Sequence, residues 1–209
     1  MNAVCSMDDV LGILARLFSD RPYCLLAWPA VAMILGWCVM ALSPAAGAAL
    51  AITPRTPRGL IGITTAPFVH ANWAHLAANL PPFLILGWLV LARKESQFLT
   101  TVLIIAAVQG ILLWLFGRKA AHVGMSGVIF GFLGWLLGLA WFTKATADLL
   151  VATGVLIFYG SMLVGVAPVR NGTSWEGHLF GLIAGFGLAW YLSLPWITTH
   201  FLVRFLSLQ

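Results

Sequence analysis

Between residues 22 and 194 the chain is a succession of apolar runs, each closed by a few charged, glycine or proline residues. A helix of about 20 residues rises about 30 Å, the thickness of the hydrocarbon core of a bilayer. Inside hydrocarbon a backbone has no water to bond, so runs of this length fold as helices that satisfy their own N–H and C=O groups. With 61% hydrophobic and 8% charged residues, the chain has too little polar surface to cover a water-soluble globule. The sequence therefore predicts an all-α polytopic membrane protein. Its net charge of +5 does not point to nucleic acid, because the eleven basic residues stand singly or in pairs between the runs and suit loops and lipid headgroups. Cys5, Cys24 and Cys38 have neither CxxC nor zinc spacing, so no disulfide or metal is implied.

Taken in order, residues 1–21 mix Asp8, Asp9, Arg16 and Asp20 with apolar positions at roughly helical spacing and predict an amphipathic N-terminal appendage. The run 22–42 ends near Ala46-Gly47-Ala48, which resembles a signal-peptidase site, but it is too long for a signal-peptide core and is read as an uncleaved first span. Residues 43–66 read as a loop punctuated by Pro44, Pro54, Pro57 and Gly59. Five further spans are expected at 67–91, 98–116, 126–142, 149–168 and 177–194, making one six-span domain over 22–194 with a tail at 195–209. The second is interrupted by Pro81-Pro82, which frees carbonyls one turn earlier. Arg16, Arg21, Arg93, Lys94, Lys144 and Arg204 on one side oppose Arg55, Arg58, Arg118, Lys119 and Arg170 on the other, which leaves orientation undecided.

Span parity is more informative. With six spans, the starts of the second, fourth and sixth lie on one face, and the intramembrane polar residues fall there: His70, His75 and Asn79, then Ser126, then His178. Such residues are costly in a bilayer and mark a functional site by default. His75 and Asn79 are one turn apart and share a helix face. Gly124-Met125-Ser126-Gly127 puts a serine among glycines at the head of a span. Gly127, Gly131, Gly134 and Gly138 form a small-residue stripe matched by His178, Gly181, Ala184 and Gly185, which lets two helices approach closely. His70 reads as a loop anchor, His122 as a loop residue and Glu176 as a water-facing loop acid, about 200° from His178 if both are helical, while Asp148 lies at the opposite face, so neither carboxylate is expected to join His178. HExxH is absent and no carboxylate lies on the second span, which argues against zinc. A transporter would carry polar residues through the bilayer or internal repeats, and neither is present.

In Gly124-x-Ser126-Gly127, His178-x-x-Gly181-x-x-x-Gly185 and His70-x4-His75-x3-Asn79, in that family's order, the chain resembles the rhomboid intramembrane serine proteases over nearly its whole length. The resemblance implies a six-transmembrane-helix rhomboid-like bundle without cofactor. It implies Ser126 as nucleophile and His178 as general base and then acid, with Asn79, His75 and the Ser126 N–H holding the oxyanion. Gly124, Gly127, Gly181 and Gly185 would support the site, and Phe130 stands where members often stack a tyrosine on the histidine. Implied partners are membrane lipids and transmembrane protein substrates that enter sideways and unwind, and the implied setting is a bacterial inner membrane with the site facing outward. The alternative is a catalytically inactive rhomboid-like module that binds membrane proteins; such a module would typically lose Ser126 or His178. The chain departs from the family in its short first loop, which lacks a Trp-Arg pair, and in Pro81-Pro82.

Overall fold

The computed structural model describes residues 23–93, 95–168 and 173–194. The expected appendage 1–21, the tail 195–209 and Arg170 lie outside them. Among the described residues there are eight α-helices and no strand, only an antiparallel bridge between Ile52 and His122. Six helices are long: α1 Cys24–Leu42, α4 Trp73–Arg93, α5 Phe98–Phe116, α6 Ser126–Thr143, α7 Thr146–Tyr159 and α8 Trp175–Ser193. Helix α7 continues into a 3-10 segment, Gly160–Val166. Two short helices, α2 Pro44–Ala49 and α3 Pro57–Thr65, lie between α1 and α4.

Among the described residues, five segments are long and apolar enough to cross a membrane: α1, α4, α5, α6 and Thr146–Val166. Helix α8 has the length, but Glu176 and His178 in its first turn lower its hydropathy.

Two boundaries differ from expectation for physical reasons. The second span begins at Trp73, not residue 67, because the Asn72 side chain accepts the His75 N–H at 2.8 Å and so caps the helix start. Pro67 and His70 are left in the preceding 3-10 turn and its link. The region 43–66 is not plain loop, since Pro44 and Pro57 each occupy the first turn of a helix, where a missing N–H costs nothing. Ser43 and Thr56 cap them, accepting from Ala46 N–H at 3.3 Å and Gly59 N–H at 3.1 Å. Without the Trp-Arg pair, this region is still fastened to the end of α5. Arg55 donates to Leu115 O at 2.8 Å, where a cation complements the helix C-terminus, and Trp114 donates through Nε1 to Thr56 O at 2.8 Å.

Helix α6 is the axis of the bundle: 72% of its span is buried, against 17% for α1 and 11% for Thr146–Val166. Its closest neighbour is α8, and glycine sets their separation. A Cβ on Gly181 would collide with the carbonyl oxygen of Gly127, one on Gly185 with that of Gly131, and one on Gly134 with that of Leu182. A Cβ on Gly138 would stand 2.8 Å from that of Ala189. The two backbones therefore touch along both expected stripes. At the other face of the bundle Arg93 pairs with Asp148, which also accepts from Thr143 Oγ1 at 2.8 Å.

This packing predicts that Gly185→Leu, which drives a side chain into backbone that cannot move aside, lowers stability by at least the roughly 1–3 kcal/mol of an overpacked core. Gly187 has nothing within 4 Å of its would-be Cβ, so Gly187→Ala should be neutral or slightly stabilising. Thermal unfolding in detergent separates the two, and equal midpoints would refute the contact.

Candidate active site

Ser126 is the first residue of α6, and the helix has no side-chain cap. The first N–H groups of a helix lack intrahelical acceptors and carry partial positive charge, so this end favours a negative group. The residues ahead of it are held by the segment before α4. Gly124 donates its N–H to Ala66 O at 2.9 Å, and Met125 donates to His70 Nε2 at 3.5 Å. Gly124 has φ +112°, and a Cβ there would stand 2.6 Å from His75 Cε1, so both conformation and space demand glycine. Fully buried His70 completes the anchor by donating from Nδ1 to Phe68 O at 3.2 Å. Burial, reinforced by nearby His75, lowers the pKa of His70 to about 4, so at neutral pH its Nε2 keeps the lone pair that Met125 uses.

His178 lies in the first turn of α8. Its ring stacks on Phe130 with centroids 4.2 Å apart and planes 8° from parallel. Its Nδ1 is 3.0 Å from Gly165 O. A carbonyl only accepts, so Nδ1 carries the proton and Nε2 presents its lone pair. Ser126, His178, His75, Asn79 and Phe130 all line one cavity of about 520 Å³. Ser126 and His178 share it without a hydrogen bond between their side chains. Asn79 Nδ2 donates to His75 O at 2.8 Å, which leaves its second N–H. Gly127, Gly181 and Gly185 bring the helices carrying Ser126 and His178 together.

His122, expected in a loop, and Glu176, expected to face water, are both buried. His122 pairs with Ile52 through both backbone bonds, accepts at Nδ1 from Ser174 Oγ at 2.7 Å and donates from Nε2 to Arg118 O at 3.0 Å. Burial pushes its pKa down, which suits this neutral tautomer. Glu176, 5% exposed, lies 3.7 Å from the Arg118 guanidinium and accepts the Arg118 N–H at 3.4 Å. The reason is the same for both: the α5–α6 connection folds back over the start of α8, and a chain so placed must pair its polar groups with one another.

Three contributors escaped the sequence reading. The Gly165 carbonyl is backbone and leaves no residue-type signal. Asn72 did leave one, an asparagine three residues before His75. Gln109 is a buried amide inside α5, and a Cβ on Gly127 would lie 2.8 Å from its Nε2. With His122 and Ser174 it lines a second cavity behind Ser126, of about 20 Å³, close to the space of one water. Among the described residues, no group of three His, Cys, Asp or Glu is arranged to hold a metal.

The Rhomboid domain family matches residues 57–195. An uncharacterized protein of Mycobacterium bovis and one of Mycobacterium tuberculosis are each 40% identical over 153 residues, 69% of this chain. The chain spans 64% of the length of each of these relatives. Rhomboid-like protein 11, chloroplastic, of Arabidopsis thaliana is 30% identical over 144 residues, 62% of this chain and 51% of that protein.

Two outcomes follow from the site. Since Gly165, not a carboxylate, holds the His178 Nδ1 proton, Glu176→Gln should reduce thermal stability through Arg118 yet leave most fluorophosphonate reactivity at Ser126. A loss near the ~10⁴ of a missing triad acid would instead indicate a Ser-His-Glu arrangement. His70 has a folded pKa of about 4, below the ordinary 6.5, so the unfolded chain binds the extra proton between those values and stability falls as pH drops through that window. His70→Gln should flatten that part of a plot of unfolding midpoint against pH; an unchanged slope would show that His70 does not contribute.

Proposed function

This chain belongs to the rhomboid family of multi-pass membrane proteins, and we propose that it is an intramembrane serine protease acting through a Ser126–His178 dyad. The observation that carries this reading is the shared cavity: Ser126 at the head of α6 and His178 in the first turn of α8, its ring fixed by Phe130 and Gly165 O.

A serine hydroxyl attacks a peptide carbonyl only when a base removes its proton. With Nδ1 protonated, His178 Nε2 is that base. As Ser126 Oγ bonds to the scissile carbon, its proton passes to Nε2 and the carbonyl oxygen becomes an oxyanion. The Ser126 N–H, the remaining Asn79 N–H and His75 are the donors for it. His178 then protonates the leaving amine, and the acyl-enzyme is hydrolysed by a water that His178 activates in turn. Phe130 contributes ring packing without a hydroxyl. The substrate would be a transmembrane segment of another protein that unwinds into the cavity from the bilayer, and the setting the inner membrane of a bacterium; the mycobacterial relatives support the bacterial part of that reading. Helix α8, packed along α6, would be the sixth span.

The test is labelling by a fluorophosphonate probe together with cleavage of a model transmembrane substrate. Ser126→Ala and His178→Ala should each abolish both while the protein remains inserted and folded, because the dyad acts as a unit. Asn79→Ala should retain cleavage weakened roughly 10²–10³-fold, the value of one oxyanion donor. Cleavage at the wild-type rate by folded Ser126→Ala would refute the mechanism, and an unlabelled wild type would leave a membrane-protein-binding module.

A further inference from the structure

Pro81 and Pro82 stand inside α4, and neither has a backbone N–H. A helical carbonyl takes its hydrogen bond from the residue four ahead, or three ahead where the helix tightens to 3-10 geometry. For Ala78 those residues are Pro82 and Pro81, so both routes are closed by covalent structure. Ala77 loses only the first, since Leu80 still has an N–H. The hydrogen bond of the adjacent side-chain amide, Asn79, goes to His75 O. Ala78 and Pro82, one turn apart, both line the cavity that holds Ser126 and His178, so the gap opened between them in α4 lies on the cavity wall. Met162, from the 3-10 end of the Thr146–Val166 span, lines the same cavity.

An acceptor without a donor is costly within a membrane, and a span tolerates one where it lines a cavity and something there supplies the N–H. A peptide unwound for cleavage has the complementary problem, with main-chain N–H groups stripped of their helical acceptors. We propose that the Ala78 carbonyl is a substrate-binding acceptor that takes a main-chain N–H from the unwound stretch of a bound peptide, beside the bond attacked by Ser126. This rests on the protease reading and adds a specificity rule to it. One position of the substrate must carry an N–H, so proline or an N-methyl residue there is excluded. The Pro82 ring, filling the place of the missing N–H, keeps the carbonyl open to the cavity.

The experiment compares wild type with Pro82→Ala, as full chains in proteoliposomes, on one transmembrane peptide substrate. A set of depsipeptide versions replaces single amides around the scissile bond by esters, each removing one N–H. Pro82→Ala returns an N–H that closes on Ala78 O within the helix, and kcat/KM should fall about tenfold, the scale of one hydrogen bond. In wild type, one ester position should cost about tenfold, and that position should be silent in Pro82→Ala. Labelling of Ser126 by a small fluorophosphonate, which offers no main-chain N–H, should proceed at the wild-type rate. Pro82→Leu, which restores the same N–H with another side chain, should behave alike. Unchanged kcat/KM in Pro82→Ala overturns the proposal. So do identical ester profiles in the two proteins, the result if the carbonyl holds only water, and a parallel loss of labelling and cleavage, the result if the prolines merely shape the helix. A wild type that neither labels nor cleaves defeats the protease reading itself, a separate outcome.

Discussion

The contact between α6 and α8 is the constraint on which the rest of the structure depends. Two helices surrounded by lipid gain nothing from the hydrophobic effect by packing together, since lipid tails are as apolar as their side chains. What draws them together is close van der Waals fit, and that requires side chains to be absent. Gly181 over the Gly127 carbonyl and Gly185 over the Gly131 carbonyl provide the absence at two successive turns. Ser126 immediately precedes Gly127 and His178 stands three residues before Gly181, so the residues that set helix separation sit beside the two side chains of the proposed dyad. A change of one methyl group in the stripe is thus transmitted to the site with little opportunity for relaxation.

Holding two helix ends so close leaves many polar groups at the membrane face, and loops supply their partners. The connection before α6 is gripped from one side by Ala66 O and His70 and from the other by the pairing of His122 with Ile52. Arg118, His122, Ser174 and Glu176 then join that connection to the start of α8. Glu176 Oε2 is the one carboxylate oxygen of this cluster that is buried without a hydrogen bond. An Arg–Glu contact of 3.7 Å with one carboxylate oxygen unpaired is weak evidence for stability. Its firmer consequence is geometric: it fixes the approach of the chain to the turn that carries His178.

The bundle was legible because membrane helices announce themselves by length and apolarity, and the glycine stripes because their period matches the helix. Ser126, His75, Asn79 and His178 stood out as polar residues at one depth, and the structure gathers all four around one cavity. Residues 43–66 misled because proline serves both as loop punctuation and as a helix starter, and only the caps Ser43 and Thr56 distinguish the two. Glu176 read as water-facing because charge and loop position usually mean exposure, and His122 read only as a loop residue. Their burial depends on a long-range fold-back of the chain that no local pattern encodes. Gly165 was out of reach altogether, since its contribution is a carbonyl that every residue possesses.

That carbonyl bears on how the proposed Ser126–His178 dyad would work without a carboxylate. A carboxylate beside His178 Nδ1 would orient the ring and stabilise the imidazolium, but it would also bury a second charge in a weakly polar cavity, at a cost several kcal/mol would not overstate. A backbone carbonyl orients the ring and fixes the Nε2 lone pair with no such charge, and gives up part of the imidazolium stabilisation in exchange. Phe130 adds a parallel face that restricts rotation of the ring. A Cβ on Gly165 would lie 3.2 Å from both His178 Nδ1 and Phe130 Cζ, so this residue is packed against the very pair it orients. Yet Gly165 belongs to the least buried of the apolar spans among the described residues, tied at its far end by Arg93 and Asp148. The tautomer of the buried histidine is therefore set by an element whose other faces meet lipid, so whatever displaces that span also loosens the hydrogen bond on Nδ1.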